Sequence, residues 1–260
     1  MDLELKDKVV LVTGGAKGIG AAITKTCAQE GAVAVAIDRD LLACQQLQGE
    51  LSTQSLQTSF ITMDLSSAEN CNAVVQQAIE AFGHIDALVN NAGINDKIGL
   101  EHGDPQKFLC SLERNLLHYY NMAHYALPHL KRSRGSIVNI SSKTALTGQG
   151  GTSGYVASKA AILGMTREWA AELLPYSIRV NAVIPAEVMT PLYQQWLHSF
   201  PDPQAKLKSV VAKIPLDRRM TSPDEIAAMV AFLISAKAGH ITGQHLFVDG
   251  GYVHLDRALT

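Results

Sequence analysis

The sequence predicts an α/β fold: a single domain in which a doubly wound, seven-stranded parallel sheet is flanked by helices. Short apolar, β-branched runs alternate with segments of helical periodicity, the pattern of parallel strands buried on both faces. A glycine-rich turn also joins the first apolar run to the first helical segment. With 260 residues, 47% apolar content and no proline-rich or low-complexity stretch, we expect residues 1–260 to share one core.

The N-terminal segment has the pattern of a dinucleotide site. The strand Lys8–Thr13 runs into the turn Gly14–Gly20, and a helix is predicted over Ala21–Glu30. Glycines let such a turn bend tightly and let its backbone approach a pyrophosphate, which binds the N–H groups at the helix start. The second strand, Ala32–Ile37, leads into Asp38, eighteen residues after the last glycine of the turn. A carboxylate there is placed to bond the ribose hydroxyls of an adenosine.

The alternation continues to the C-terminal end. Further strands are predicted over Gln57–Met63, Ile85–Val89, Gly135–Ser141, Ser177–Val183 and His245–Val248. Helices are predicted over Leu41–Leu51, Ser67–Phe82, Asp104–Lys131, Gly154–Leu174 and Pro223–Ser235. Between them, Ser142–Ser153 is expected to be a loop that lines the cleft, and Pro185–Pro215 a polar insertion.

Two strand ends carry further candidate ligand contacts. The turn Asn90–Gly93 follows the fourth strand, at the carboxyl edge where open α/β sheets bind ligands. Asp64 closes the third strand. It is placed either to meet the exocyclic amine of an adenine ring or to take part in a plain helix N-cap with Ser66 or Ser67, and the residues leave both readings open.

One set of spacings predicts proton transfer. Tyr155 and Lys159 stand four residues apart and so share one face of a helix, and Ser142 lies thirteen residues before the tyrosine. A phenol, with an ordinary pKa of about 10, is a poor base at neutral pH. We expect the nearby lysine ammonium to favour the phenolate and lower that pKa. Ser142 could then hold the substrate oxygen.

Composition excludes several classes of function. The net charge is −2 and the basic residues are scattered, which argues against a nucleic-acid partner. The apolar runs are strand-sized, and residues 1–6 lack the pattern of a signal peptide, so we expect a soluble, cytoplasmic protein without a membrane partner. Neither the nine histidines nor the cysteines show ligand spacing, so no metal site is predicted; the cysteines are Cys27, Cys44, Cys71 and Cys110.

Taken together, these motifs resemble those of the short-chain dehydrogenase/reductase family from the glycine-rich turn to Val248–Gly251. The resemblance covers essentially the whole chain and implies a Rossmann fold, with a cofactor half of about residues 1–150 and a catalytic half of about residues 135–260. It implies a catalytic tetrad of Asn115, Ser142, Tyr155 and Lys159. In the family the tyrosine is the base, the lysine lowers its pKa and bonds the nicotinamide ribose, and the asparagine holds a water in a proton relay.

The resemblance also implies a nicotinamide dinucleotide as cofactor. Its contacts are expected from Gly14, Lys17, Gly18, Ile19, Gly20, Asp38, Arg39, Asp64, Leu65, Asn91, Ala92, Gly93, Tyr155, Lys159, Pro185, Val188 and Thr190. Asp38 would repel a 2′-phosphate, which favours NAD. Lys17 and Arg39 could instead bind that phosphate, so NADP remains the alternative.

The expected substrate is a sugar. The family usually has Pro-Gly after the sixth strand, whereas this chain has Pro185-Ala-Glu187, and a carboxylate beside the reacting carbon suits a substrate with several hydroxyls. The motifs, including the closing segment at residues 248–259, resemble the L-fucose dehydrogenases within the family, which implies oxidation of the C1 hydroxyl to a lactone. The expected substrate contacts are Asn95, Ser142, Lys143, Gln149, Tyr155, Glu187 and Tyr193.

Other functions stay open on the residues alone. The same tetrad serves reductases of 3-oxoacyl and other small carbonyl substrates, and dehydrogenases of other sugars or sugar acids. A dinucleotide-binding protein without turnover is a rival from another class. By resemblance to the family, we also expect a homotetramer that is built through the long helices at 104–131 and 154–174 and through the last helix and strand.

Overall fold

The computed structural model describes residues 1–54 and 56–255. The described residues contain a parallel sheet of seven strands. The strand order is β3-β2-β1-β4-β5-β6-β7. The strands are β1 (Val9–Thr13), β2 (Val33–Asp38), β3 (Thr58–Thr62), β4 (Ala87–Asn90), β5 (Ser136–Ile140), β6 (Arg179–Pro185) and β7 (His245–Val248). The predicted fold class and the number of strands are confirmed, with bounds that differ by a few residues. Residues 256–260, which belong to the closing motif, lie outside the described part of the chain.

Ten α-helices accompany the sheet in the described residues. They are α1 (Gly18–Gln29), α2 (Leu41–Ser52), α3 (Ala68–Phe82), α4 (Pro105–Leu112), α5 (His118–Ser133), α6 (Thr144–Thr147), α7 (Ser153–Glu172), α8 (Pro191–Leu197), α9 (Pro203–Val211) and α10 (Pro223–Ile234). A π-helical turn, Glu113–Leu117, joins α4 to α5. None of the described helices has the length and apolar character that crossing a bilayer requires.

The alternation of side chains along the strands divides the core into two layers. Val9 and Leu11 of β1 point to one face, where they join the cluster formed with α3, α5 and α7. Val10 and Val12 point to the other face and pack with α1 and α10. Because successive residues of a strand face opposite sides, an apolar run is buried in full only when helices cover both sides of the sheet.

The sheet reverses its direction of growth beside β1. The chain builds outward from β1 to β3, then returns to add β4 on the other side of β1 and continues to β7. A crevice therefore opens between the loops that follow β1 and β4, at the carboxyl ends of the strands. This switch point is where the glycine-rich turn and the turn Asn90–Gly93 meet.

Three segments differ from the predictions. The helix expected over Asp104–Lys131 is interrupted by the π-helical turn, and the loop expected over Ser142–Ser153 contains α6. The predicted insertion Pro185–Pro215 contains α8 and α9. Both of these helices begin with a proline that follows a capping residue, Thr190 or Asp202. A capping residue followed by proline is a sequence signal for a helix start.

Candidate functional site

Two turns are fastened together at the switch point by Thr13 and Asn91. The Thr13 hydroxyl accepts hydrogen bonds from the backbone N–H groups of Asn91 and Ala92, at 2.9 and 3.1 Å. In return, the Asn91 side-chain amide donates to the carbonyl oxygens of Thr13 and Gly14, at 2.9 and 3.2 Å. The glycine-rich turn and the turn after β4 thus form one rigid rim of the crevice. The predicted site residues did not include Thr13.

The start of α1 fits a pyrophosphate. Its N-cap residue, Lys17, makes no side-chain hydrogen bond to the helix, so the first N–H groups of α1 are free of a side-chain cap. Gly18 adopts φ +54°, and a Cβ on Gly20 would lie 1.9 Å from the Gly14 oxygen. The backbone can therefore turn this sharply only with glycine at these positions. The predicted role of the turn agrees with this geometry.

Asp38 presents a carboxylate beside that turn. One of its oxygens accepts from the Ala16 N–H at 3.3 Å and the other from the Asp40 N–H at 3.1 Å. The two basic residues that could have served a 2′-phosphate are each close to an acid. Lys17 pairs with Asp40 at 2.7 Å, and Arg39 lies 3.8 Å from an oxygen of Asp64. The charges at this end of the crevice are therefore largely balanced without a phosphate.

The two readings of Asp64 are now distinguishable in part. One of its oxygens accepts the Ser66 N–H at 2.9 Å, and that hydrogen bond is the main cause that lowers the pKa of the carboxyl. The N-cap of α3 is Ser67, whose hydroxyl accepts from Asn70. Asp64 thus shapes the turn before α3 without capping the helix itself, and it also lines the cleft. Contact with an adenine remains a prediction.

A cleft of about 550 Å³ follows the switch point, and every residue predicted to contact the cofactor lines it. Four of the predicted substrate contacts line it as well: Asn95, Ser142, Tyr155 and Tyr193. Several further lining residues were not predicted, among them Ile94, Arg114, His118, Leu192 and Gln195. The predicted cofactor residues and three of the four predicted catalytic residues, Ser142, Tyr155 and Lys159, therefore line one cleft, whereas Asn115 is buried and does not line it. The role of each remains a prediction.

Lys159 is the most constrained group of the tetrad. Its Nζ donates to the Tyr119 hydroxyl at 2.9 Å and to the Ile140 carbonyl oxygen at 2.8 Å, and the side chain is buried. Burial lowers the pKa of this lysine from 10.5 to about 7. Its Nζ lies 5.7 Å from the centre of the Tyr155 ring. The two side chains therefore share a helix face, as the spacing predicts.

The predicted lowering of the Tyr155 pKa is wrong. Burial raises the pKa of the phenol, and a hydrogen bond with Ser142 opposes that rise only partly. Burial also disfavours the charged form of Lys159, so the ammonium that was expected to lower the tyrosine pKa is itself destabilised. At neutral pH the pair is poised to lose a proton, and in this state the lysine loses it more readily than the phenol does.

Ser142 is oriented to donate its proton. Its oxygen accepts from the Thr144 N–H at 3.2 Å and from the Thr144 hydroxyl at 3.0 Å. With its acceptor sites used in this way, the Ser142 hydroxyl hydrogen is available for the Tyr155 oxygen or for a substrate oxygen. Thr144 begins the short helix α6, which was not predicted. Through Thr144, this helix positions the predicted residue Ser142.

Asn115 lies in the π-helical turn and is fully buried. Its amide nitrogen donates to the Ser111 carbonyl at 2.9 Å, and its oxygen accepts the Ile94 N–H at 2.7 Å. The side chain therefore fastens the π-helical turn to the loop after β4. A π-helical turn is rare and recurs at functional sites. Its expected role in holding a water remains a prediction.

The remaining predicted substrate residues divide into two groups. Lys143 and Glu187 form an ion pair, and the lysine Nζ lies 3.8 Å from the centre of the Tyr252 ring. Tyr193 lines the cleft beside this pair, and burial, together with the nearby charge of Glu187, raises the pKa of its phenol. Gln149, by contrast, is exposed and does not line the cleft. Three glycines with positive φ surround it, at 148, 150 and 151, and turn this loop outward.

Comparisons with known proteins agree with this geometry. The family model described as enoyl-(acyl carrier protein) reductase matches residues 14–253. A mouse L-fucose dehydrogenase is 40% identical over 245 residues, which cover 94% of this chain and 88% of the relative. The crystal structure of Cj0485 dehydrogenase is 46% identical, with a TM-score of 0.94 and coverage of 100% of this chain and 99% of that one. L-sorbose reductase from Gluconobacter frateurii, solved with NADPH and L-sorbose, is 28% identical, with a TM-score of 0.93 and coverage of 98% and 99%.

The buried lysine makes stability depend on pH. The pKa of Lys159 is about 7 in the folded protein and 10.5 in its unperturbed state, so between these values the unfolded chain binds more protons. The free energy of unfolding should therefore rise with pH across this window, by up to about 1.4 kcal/mol per pH unit. Lys159→Met should remove that slope, whereas Lys213→Met, at an exposed position, should keep it. Urea unfolding from neutral to mildly alkaline pH measures both, and equal slopes in all three proteins would contradict the assignment.

Proposed function

Because the chain belongs to the short-chain dehydrogenase/reductase family, we propose that it oxidises a sugar, with the C1 hydroxyl of L-fucose converted to the lactone. The chain is a dehydrogenase or reductase of alcohol or carbonyl groups, and its family uses a nicotinamide cofactor. The choice of sugar, of carbon and of direction is the proposal. Similarity to the mouse L-fucose dehydrogenase supports it.

The chemical step rests on the geometry around Tyr155. We propose that its phenolate oxygen takes the proton of the substrate hydroxyl. Ser142 donates a hydrogen bond to the oxygen atom of that substrate hydroxyl. NAD⁺, when bound, would supply the hydride acceptor that this oxidation requires. The observation that carries this step is the Ser142 hydroxyl, whose acceptor sites are filled by Thr144 and whose proton is left to face Tyr155.

The charges beside the cleft support a polar substrate. Lys143 and Glu187 are a balanced pair next to Ser142, and Tyr193 connects Glu187 to the cleft wall. Such a pair offers both donors and acceptors at fixed positions, which suits the adjacent hydroxyls of a sugar ring. We propose that substrate hydroxyls reach this pair through Tyr193. Gln149 is not part of this proposal, because its loop turns toward solvent.

A second candidate is the reduction of acyl or other small carbonyl substrates. The description of the matching family model, an acyl-carrier-protein reductase, favours it. An acyl chain needs an apolar channel, and a buried ion pair next to the reacting position is unfavourable for such a chain. The Lys143–Glu187 pair therefore weighs toward a sugar.

For the cofactor we propose NAD, with NADP as the alternative. The support is the position of Asp38 and the pairing of Lys17 and Arg39 with acids of this chain. The sorbose reductase, in contrast, was solved with NADPH.

We further propose a cytoplasmic homotetramer. The four cysteines are free thiols, which suits a reducing compartment, although three of them are buried. For assembly, the support is a group of exposed apolar side chains near the junction of α4 and α5, namely Leu109, Leu117 and Tyr120.

The activity test measures turnover of a panel of sugars, hydroxy acids, alcohols and ketones through the change in NADH absorbance. L-fucose should give the highest kcat/KM, and Tyr155→Phe should lower kcat by about 100-fold or more because the base is removed. Tyr176→Phe, at an exposed tyrosine, is the matched control and should retain full activity. Faster reduction of an acyl or ketone substrate would support the second candidate, and no turnover of any substrate would indicate a binding protein.

The cofactor test compares kcat/KM for NAD⁺ and NADP⁺. The natural protein should prefer NAD⁺, and Asp38→Asn, which removes the charge and keeps the shape, should reduce that preference by about tenfold or more. Asp224→Asn, at an exposed position in the first turn of α10, is the control. A natural preference for NADP⁺ would show that the Asp38 carboxylate does not select the cofactor.

The substrate-site test is Glu187→Gln. The KM for the sugar should rise by about tenfold while the KM for NAD⁺ stays unchanged, because the change lies on the substrate side of the cleft. This variant leaves Lys143 without its partner, so the double variant Lys143→Met, Glu187→Gln should recover stability but not sugar affinity. Glu80→Gln, on an exposed part of α3, is the control. An unchanged sugar KM in both variants would exclude a substrate role.

A further inference from the structure

Tyr119 makes a closed set of hydrogen bonds around the catalytic lysine. Its hydroxyl donates to the Ile140 carbonyl oxygen at 2.9 Å and accepts from the Lys159 Nζ at 2.9 Å. The same Nζ also donates to that carbonyl at 2.8 Å. All three groups are buried, and Tyr119 is fully so. The phenol of α5 and the end of β5 together hold the tip of a side chain from α7.

This arrangement fixes the direction in which Lys159 can act. An ammonium has three hydrogens, and two of them are used on the Tyr119 oxygen and the Ile140 oxygen. The third is the only one left for the cleft. Gly93 sits opposite, where an added Cβ would lie 3.4 Å from Nζ, so the backbone of the turn after β4 approaches the lysine closely. A flexible side chain thus presents a single donor in one direction.

We propose that Tyr119 is a positioning residue that keeps Lys159 in its ammonium form and aims its one free N–H into the cleft. This inference rests on the proposed function only in giving Lys159 a part in catalysis. Tyr119 would act on the reaction only through Lys159, because its phenol oxygen contacts the Lys159 Nζ and the Ile140 carbonyl oxygen.

The surroundings of Lys159 leave few other groups to stabilise its charge. The titratable groups that face it are Tyr155 from its own helix, with Tyr119 and His118 from α5. Burial lowers the pKa of His118 to about 3, so that imidazole is neutral. No carboxylate lies within ion-pair distance of Lys159 in residues 1–54 and 56–255. The two oxygen acceptors, on Tyr119 and Ile140, therefore oppose the cost of burying the charge.

The charge of Lys159 decides which partner holds the shared proton. After the pair has lost one proton, it exists either as Tyr155 phenol with a neutral lysine or as Tyr155 phenolate with the ammonium. Only the second form can accept a proton from an alcohol. Both forms carry the same number of protons, so pH cannot convert one into the other. A hydrogen-bond acceptor that contacts the ammonium, such as the Tyr119 oxygen, favours the form with the Tyr155 phenolate and the charged lysine.

Tyr119→Phe removes this acceptor and keeps the ring. For alcohol oxidation, the plateau of kcat against pH should fall by about tenfold, because the phenolate form becomes rarer. The acid limb should at the same time move to lower pH by about one unit, since the lysine gives up its proton more easily. Tyr176→Phe, at an exposed tyrosine outside the site, should change neither. A purely structural role would lower the plateau and leave the limb in place, and that result would overturn the inference.

A second measurement does not depend on the substrate. NMR of carbon-labelled lysine, with the Lys159 signal assigned by its loss in Lys159→Met, should show the Lys159 pKa about one unit lower in Tyr119→Phe than in the natural protein. An unchanged lysine titration would contradict the inference. If no sugar is oxidised but the titration moves, the proposed substrate fails and the role of Tyr119 stands.

A milder change covers the case in which Tyr119→Phe does not fold. A ring-fluorinated tyrosine inserted at position 119 keeps the hydroxyl but makes its oxygen a weaker acceptor. The lysine titration and the acid limb should then move in the same direction by a smaller amount. A movement toward higher pH would overturn the inference.

Discussion

The site depends on one buried lysine ammonium, beside which the described part of the chain places no carboxylate. Burying such a charge is costly, and here oxygen atoms from two different elements offset the cost: the Tyr119 hydroxyl on α5 and the Ile140 carbonyl at the end of β5. Both atoms contact the Nζ that α7 brings to the crevice. The packing of α5, α7 and β5 therefore sets the proton chemistry, because it sets which protonation form of the pair is stable.

The same crevice joins the fold to the cofactor site. Where the sheet reverses its growth, the loops after β1 and β4 border the crevice, and four hydrogen bonds around Thr13 and Asn91 join these two loops. These contacts hold the uncapped start of α1 at a fixed distance from the turn that faces Lys159. Fold topology, the free N–H groups of α1 and the lysine are thus parts of a single rigid frame.

Features carried by contiguous residues could be predicted from the sequence. The seven strands followed from apolar runs, and the positions of the glycine-rich turn, Asp38, Tyr155 and Lys159 followed from short motifs. Features that depend on contacts between distant segments could not. Tyr119 meets Lys159 only because α5 and α7 pack together, and the pKa of Tyr155 depends on burial that no spacing reveals. The helices α8 and α9, in contrast, carried readable start signals in a segment that was interpreted only as polar.

The wide turn at Glu113–Leu117 has a consequence for how this chain can vary. A π-helical turn holds one residue more than an α-helical turn, so every later side chain is rotated by about 100° from the regular course. Asn115 can face the loop after β4 while Tyr119 reaches the lysine because of that extra residue. Loss of a single codon in this stretch would restore a regular helix and rotate the phenol away. The length of this stretch is therefore constrained by the contacts of two side chains, Asn115 and Tyr119, that lie on different neighbours.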